Sequence, residues 1–310
     1  MNLLNKRITV TGGAGFLGRC IVEELKKAGA EVFVPRSADY DLRNIHETRL
    51  MLLKAKPHIV IHAAAQAGGI GLNQEKPAEL FFNNMMMGLN LINQAHDLSF
   101  VQKFVQIGTI CEYPKLTPVP FKEENLWNGY PEDTNAPYGI AKKALLVMGQ
   151  AYRKQYDFNV IHLLPVNMYG PHDNFNLNSS HVVPALIRKF IEAREQGQNE
   201  VVIWGDGTAT REFLYVDDCA SAIVKATQLY DGADPVNIGT GSEIKITDLV
   251  AMIADLVGYR GNIQYDVSKP NGQPRRCLDT TRALKEFDFK AETTLLQGLA
   301  KTIDWYRRIL

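Results

Sequence analysis

The amino-acid sequence predicts an α/β protein, a doubly wound parallel sheet with a smaller α/β lobe attached. Three observations predict it. Apolar runs alternate with helix-patterned segments in the rhythm of βαβ units. The runs ITV, VFV and IVI are short and unbroken, as strands covered on both faces should be. After residue 165 the alternation fades into a loop rich in Pro, Asn and Gly, where a second lobe begins.

RITVT (7–11) reads as the first strand, GFLGRCIVEELKKAG (15–29) as the helix after it, and AEVFVPRS (30–37) as the second strand. HIVIHAAA (58–65) and KFVQIGT (103–109) follow as strands with helices between them, and NVIHLLPVNMYG (159–170) is a further strand running into the irregular loop. In EIKITDLVAMIADLVGY (243–259), Leu249, Met252, Ile253 and Leu256 keep helical spacing, with Thr247 as N-cap and Gly258 as C-cap. PAELFFNNMMMGLNLINQAHDL (77–98) is apolar around more of its circumference than one core stripe needs. Helix pairing between two subunits explains this, and so does a helix squeezed between the sheet and the second lobe; the first makes a homodimer the expectation.

Composition sets outer limits. With 34 Lys and Arg against 34 Asp and Glu in 310 residues, no global field attracts nucleic acid or an anionic membrane. No run approaches the ~20 apolar residues of a membrane span, so a soluble, cytoplasmic protein without membrane partners is expected. Cys20, Cys111, Cys219 and Cys277 lie far apart with no histidines at ligand spacing, which speaks against a disulfide scaffold and against a metal site.

TGGAGFLG (11–18) follows the first strand directly and opens a helix. Gly12, Gly15 and Gly18 let the backbone approach a pyrophosphate at the positive end of that helix, so the sheet is expected to be a Rossmann-type dinucleotide binder with Phe16 and Leu17 beside the cofactor. Arg36 stands at the end of the second strand, where an acid would select NAD, and therefore favours NADP(H). Asp41 and Leu42 come next and flank the adenine. The dinucleotide-binding domain is expected at residues 1–165 plus about 212–240, and the substrate lobe at about 166–211 plus 241–310.

Tyr138 and Lys142 are four residues apart on one face of the helix YGIAKKALLVMGQAYRKQY (138–156). A phenol titrates near ~10, so a fixed ammonium is needed to make it a useful proton carrier near neutral pH. The same lysine can hold the nicotinamide ribose. Thr109, after the fourth strand, adds a hydroxyl where a sheet meets its ligand.

Glycine loop, hydroxyl, tyrosine and lysine in this order resemble the extended short-chain dehydrogenase/reductase family. HAAA (62–65), GGI (68–70), GTIC (108–111), NMYGPHDNF (167–175), SHVVPAL (180–186), VIWGDGT (202–208), REFLYVDD (211–218) and KPNGQPR (269–275) narrow the resemblance to its GDP-L-fucose synthase branch, over essentially the whole chain. That resemblance implies epimerisation of GDP-4-keto-6-deoxy-D-mannose at C3 and C5, then reduction of the C4 ketone by NADPH. It implies Cys111 as base and His181 as acid, and cofactor contacts from Ala63, Ala64, Lys142, Pro165, Asn167, Met168 and His181. Read without it, Cys111 is a buried thiol and His181 a capping or surface residue.

The GDP-sugar diphosphate needs placed cations. Arg211, Arg188, Lys189, Lys269 and Arg275 are the candidates, with Trp204, Val182 and Leu186 for the base. Three positions depart from the family: Ala14 stands where an arginine is common, Thr109 replaces a serine, and Glu112 replaces an apolar residue. Glu112 reads as an exposed loop carboxylate, with a pocket-facing charge as the alternative. His162, inside an apolar strand, reads as structural. Rival readings are a relative acting on a colitose-type or heptose-type GDP-4-keto sugar, an NAD-dependent nucleotide-sugar epimerase or dehydratase, and a non-catalytic nucleotide sensor. A dehydratase would carry Thr-Asp-Glu in place of Thr109, Ile110 and Cys111.

Overall fold

The computed structural model describes residues 1–177, 179–269 and 271–310, so Pro270 of the 269–275 motif lies outside the described residues. In chain order the elements are β1 (Arg7–Thr11), α1 (Phe16–Lys27), β2 (Glu31–Phe33), α2 (Ile45–Ala55), β3 (Ile59–His62), α3 (Ile70–Glu75), α4 (Pro77–Asp97) and β4 (Lys103–Ile107). Then come α5 (Ala136–Tyr156), β5 (Val160–Pro165), β6 (Asn167–Tyr169), α6 (Val182–Glu195), β7 (Glu200–Trp204), β8 (Thr210–Tyr215) and α7 (Val216–Leu229). The chain ends with β9 (Val236–Ile238), β10 (Glu243–Lys245), α8 (Ile246–Val257), β11 (Asn262–Asp266), α9 (Thr281–Phe287) and α10 (Leu295–Ile309).

Six strands form one sheet in the order β2-β1-β3-β4-β5-β9, and every pairing in it is parallel. The α/β class with a doubly wound parallel sheet is therefore as the sequence predicts. Every residue of β3, β4 and β5 is buried, because Leu17, Ile21 and Leu25 of α1 with Ile223 of α7 cover one face. Met51 and Leu52 of α2, Leu91 of α4 and Leu145 of α5 cover the other. The strand order reverses at β1 and β3, so the loops after these two strands diverge and leave a crevice at their carboxyl ends. A three-stranded sheet β10-β8-β6 and a pair β11-β7 complete the strands among the described residues.

A second core gathers Ile187 and Phe190 of α6, Leu249 and Ile253 of α8, and Leu299 and Ile303 of α10. The expected divisions at about 212–240 and 241–310 differ from the packing: Phe213 and Tyr215 of β8 belong to the second core. Leu278, Ala283, Phe287 and Phe289 belong to the core of the large sheet, since the chain returns after β11 to lay α9 against α7 and β9. Gly258 caps α8 with φ 80°, but Lys245 is its N-cap. The antiparallel pairing of β10 with β8 carries extended backbone to Lys245, so the helix starts before Thr247. α4 packs along α5, where Gly88 leaves so little room that a Cβ would lie 2.2 Å from Leu145. Phe81 and Phe82 on α4 remain exposed.

Candidate active site

Between the large sheet and the smaller strands lies a cleft of about 1700 Å³. The loop after β1 forms its floor. Gly12 has φ 71°, and a Cβ on Gly18 would come within 2.0 Å of the Gly12 carbonyl oxygen, so this tight turn excludes side chains at both positions. Gly15 is the N-cap of α1 and no side chain caps that helix. Its first N–H groups are left directed at the cleft, where a pyrophosphate would accept them. Gly12, Gly15, Phe16, Leu17 and Gly18 all line the cleft, as do Ala63 and Ala64 after β3, Pro165 at the end of β5, and Asn167 and Met168 of β6.

At the end of β2, Arg36 lines the same cleft. It is exposed, and its guanidinium is open to a ligand anion. Asp41 and Leu42 line it too, but Asp41 is clamped by Arg43, which donates from Nε at 2.9 Å and from Nη2 at 2.7 Å. That pairing holds the Asp41 carboxyl below its ordinary pKa. The second strand thus presents one open cation and a neutralised acid. This chemistry suits a 2′-phosphate and fits the dinucleotide expected there.

Thr109, Cys111, Tyr138, Lys142 and His181 all face the cleft. Thr109 is the N-cap of a 3₁₀ turn at Ile110–Glu112, and its hydroxyl accepts from Cys111 N–H at 3.2 Å. Gly139 in the first turn of α5 lies so close to this turn that a Cβ would stand 2.2 Å from the Cys111 carbonyl oxygen. The helix start and the turn are thereby locked together, which brings Tyr138 into hydrogen bonding with Thr109.

Burial, reinforced by Cys111 and Glu112, pushes the Tyr138 phenol well above its ordinary value, and only the Thr109 hydrogen bond pulls it down. The lysine was expected to depress this phenol. Instead Lys142 donates to the Ile107 carbonyl at 3.1 Å, and burial brings its own pKa down to about 8 against the opposing pull of Glu112. Tyr138 is therefore a protonated donor rather than a standing phenolate.

His181 occupies the N-cap of α6, yet its side chain makes no capping bond. Its ring opens onto the solvent of the cleft, while the surrounding protein walls lower its pKa. Arg276 donates from Nη1 to Cys111 Sγ at 3.8 Å and from Nε to Gln273 at 2.8 Å. A cation is thus in place beside the thiol. The sequence points to the neighbouring Arg275, but that arginine pairs with Glu243, and it is Arg276 that reaches the thiol. The two adjacent arginines carry no local signal that separates them.

Of the predicted anion-binding residues, Arg211, Lys189 and Trp204 line the cleft. Arg211 is held by the Thr210 and Asn271 carbonyls at 2.7 and 3.0 Å. Burial and the nearby Arg276 bring its pKa down to about 10. Lys189 donates to the Val202 carbonyl at 3.0 Å. Arg188 is not brought into the cleft, because Glu192 one helical turn on takes its Nε at 2.7 Å. Lys269 also stays out of it, with Nζ 5.4 Å from the centroid of the Trp204 ring. Glu112 overturns its expectation as an exposed carboxylate: it is fully buried. Among the described residues no cluster of three His, Cys, Asp or Glu could hold a metal.

Comparison with known proteins adds to this geometry. Residues 8–239 match the model of the NAD dependent epimerase/dehydratase family. A GDP-L-fucose synthase of Sinorhizobium fredii is 44% identical over 96% of this chain and 95% of its own length. A GDP-L-colitose synthase of Yersinia pseudotuberculosis is 35% identical over 97% of this chain and 96% of its own. A GDP-mannoheptose C4 reductase from Campylobacter jejuni, solved with NADP bound, superposes with a TM-score of 0.88 at 29% identity, covering 98% of each chain. With the glycine loop, the Tyr138 and Lys142 pair and a family match across most of its length, this chain belongs to the NAD dependent epimerase/dehydratase family.

Proposed function

We propose that the protein converts GDP-4-keto-6-deoxy-D-mannose to GDP-L-fucose, epimerising C3 and C5 and then reducing the C4 ketone with NADPH. The observation that carries this reading is the meeting of four chemistries in one cleft: the Cys111 thiol, the His181 imidazole, the Tyr138 phenol and the Lys142 ammonium. Relatives named GDP-L-fucose synthase over nearly the full chain support it. NADP(H) is the cofactor, held by the backbone at residues 12–18 and by Arg36; when bound it supplies the hydride.

A proton alpha to a ketone is acidic because the enolate spreads charge onto oxygen. Cys111 as thiolate removes that proton on one face, and His181 returns one from the other. Thr109 and Tyr138 donate to the enolate oxygen, which carries the charge only after deprotonation, so these contacts favour the transition state over the ketone. In the reductive step Tyr138 gives its proton to the C4 oxygen, the Thr109 hydroxyl stabilises the phenolate left behind, and the Lys142 ammonium would hold the nicotinamide ribose. Arg211 and Lys189 are assigned to the diphosphate and Trp204 to the base.

On this reading the dinucleotide belongs to the lobe of the large sheet, residues 1–165 and about 212–240, joined by residues 278–289, and the sugar nucleotide to the remainder. Phe81 and Phe82 on α4, with Val147 on α5, form exposed apolar surface that suits pairing of two copies, hence a homodimer. The four cysteines are free thiols, as befits a cytoplasmic enzyme in a reducing compartment. Among the described residues no helix is long and apolar enough to cross a membrane.

The test is to mix the protein with NADPH and GDP-4-keto-6-deoxy-D-mannose and follow absorbance of the reduced nicotinamide. Steady oxidation that depends on the sugar is expected. Its absence with a folded protein rejects the substrate.

A further inference from the structure

Beneath the catalytic turn lies an ionisable pair that the proposed mechanism does not use. Glu112, on the 3₁₀ turn, is fully buried, and it does not line the cleft. One oxygen accepts from the Thr109 backbone N–H at 2.9 Å. Nε2 of His162, on strand β5 beside β4, lies 3.1 Å from both carboxylate oxygens. Gly108 makes room for the pair, since a Cβ there would lie 2.3 Å from His162 Nε2 and 2.4 Å from Glu112 Oε1.

This geometry fixes the proton positions. A carboxylate accepts, so His162 Nε2 carries a hydrogen. His162 Nδ1 is buried and finds no hydrogen-bond partner among the described residues. A second N–H there would be an orphan donor on a charged ring, which is costlier than a bare acceptor. The ring hydrogen therefore sits on Nε2, toward the carboxylate charge of Glu112. That charge acts on Tyr113 beside it and on Tyr138, Lys142 and Lys143 across the contact with α5. Lys142 is also faced by His62 on β3, which burial keeps neutral.

We propose that Glu112, anchored by His162, is a positioning residue of the catalytic set: it holds the backbone of Thr109 and is the counter-charge of the Lys142 ammonium. Through the Thr109 N–H it fixes the residue whose hydroxyl bonds Tyr138. Through its charge it favours the protonated forms of both Lys142 and Tyr138, the forms that a proton-donating, reductive site needs. This inference rests on the roles given above to Tyr138 and Lys142, and it adds a residue that never touches the sugar.

The test compares the wild-type protein with Glu112→Gln, which keeps an acceptor for Thr109 N–H and loses the charge. A double variant, Glu112→Leu with His162→Leu, removes the carboxylate and its histidine partner at once, so that only the Thr109 N–H loses its acceptor. In protein labelled at lysine and free of cofactor, the Lys142 midpoint is read by NMR and assigned with Lys142→Met. It is expected to fall by about one pH unit in both variants. With NADPH and the keto sugar, the alkaline limb of kcat should move down in step, with KM for NADPH unchanged. A Lys142 midpoint that stays in place in both variants overturns the inference. A wild-type protein that leaves NADPH unoxidised overturns the functional reading instead, and the NMR titration stands apart from that result.

Discussion

Replacing Arg36 by alanine isolates the cofactor's 2′-phosphate from everything else in the protein. Arg36 is exposed at the end of β2, so its removal exposes no buried partner and should leave Tm within about a degree. A guanidinium on a phosphate is worth about 1.5–3 kcal/mol as a charge-assisted hydrogen bond. At 1.4 kcal/mol per tenfold, that is roughly a 10- to 150-fold loss in kcat/KM for NADPH. The nearest alternative, Arg43, is engaged by Asp41 and reaches Asn83 at 3.3 Å, so it cannot take over without giving up those bonds. NADH lacks the phosphate, and its kcat/KM should hold within about twofold. The assay is initial rate against each dinucleotide at saturating sugar. An unchanged ratio of the two efficiencies would refute the assignment of Arg36.

Further outcomes follow from the same geometry. Lys142 titrates at about 8 and is charged below that value, so the reductive rate should be full at lower pH and fall as pH rises through about 8; a rate that climbs across this window would contradict its role. Gly18→Ala forces a Cβ to 2.0 Å from backbone, an overpacking cost of about 1–3 kcal/mol, and should weaken NADPH binding by about 5- to 150-fold in calorimetry. Cys111→Ser should suppress deuterium uptake from solvent at the carbons alpha to the ketone while NADPH still binds; undiminished exchange would assign the base elsewhere.

Local patterns carried most of what could be read before the fold was known. The glycine loop is legible because its three glycines answer one turn, and Tyr138 with Lys142 because four residues make one helical face. Strand identity in β3 through β5 follows from unbroken apolar runs. What failed was non-local. Glu112 and His162 are 50 residues apart and meet only because β4 and β5 are neighbours in the sheet. The spacing of Thr109 and Glu112, a capping-box pattern, was the one local sign that the carboxylate turns inward. Arg188 and Lys269 looked like diphosphate ligands by charge alone, and their nearest neighbours, Glu192 and Trp204, decide otherwise. The return of residues 278–289 to the first core has no signature in a single amphipathic helix.

Epimerisation and reduction use different side chains of the cleft, and one product analysis separates the two. The reaction is run to completion in D2O with NADPH and GDP-4-keto-6-deoxy-D-mannose, and the sugar nucleotide is examined by NMR. GDP-L-fucose carrying deuterium at both C3 and C5 is the predicted product. A 6-deoxy sugar reduced at C4 with the D configuration and no deuterium at C3 or C5 would contradict the roles of Cys111 and His181, and with them the central claim.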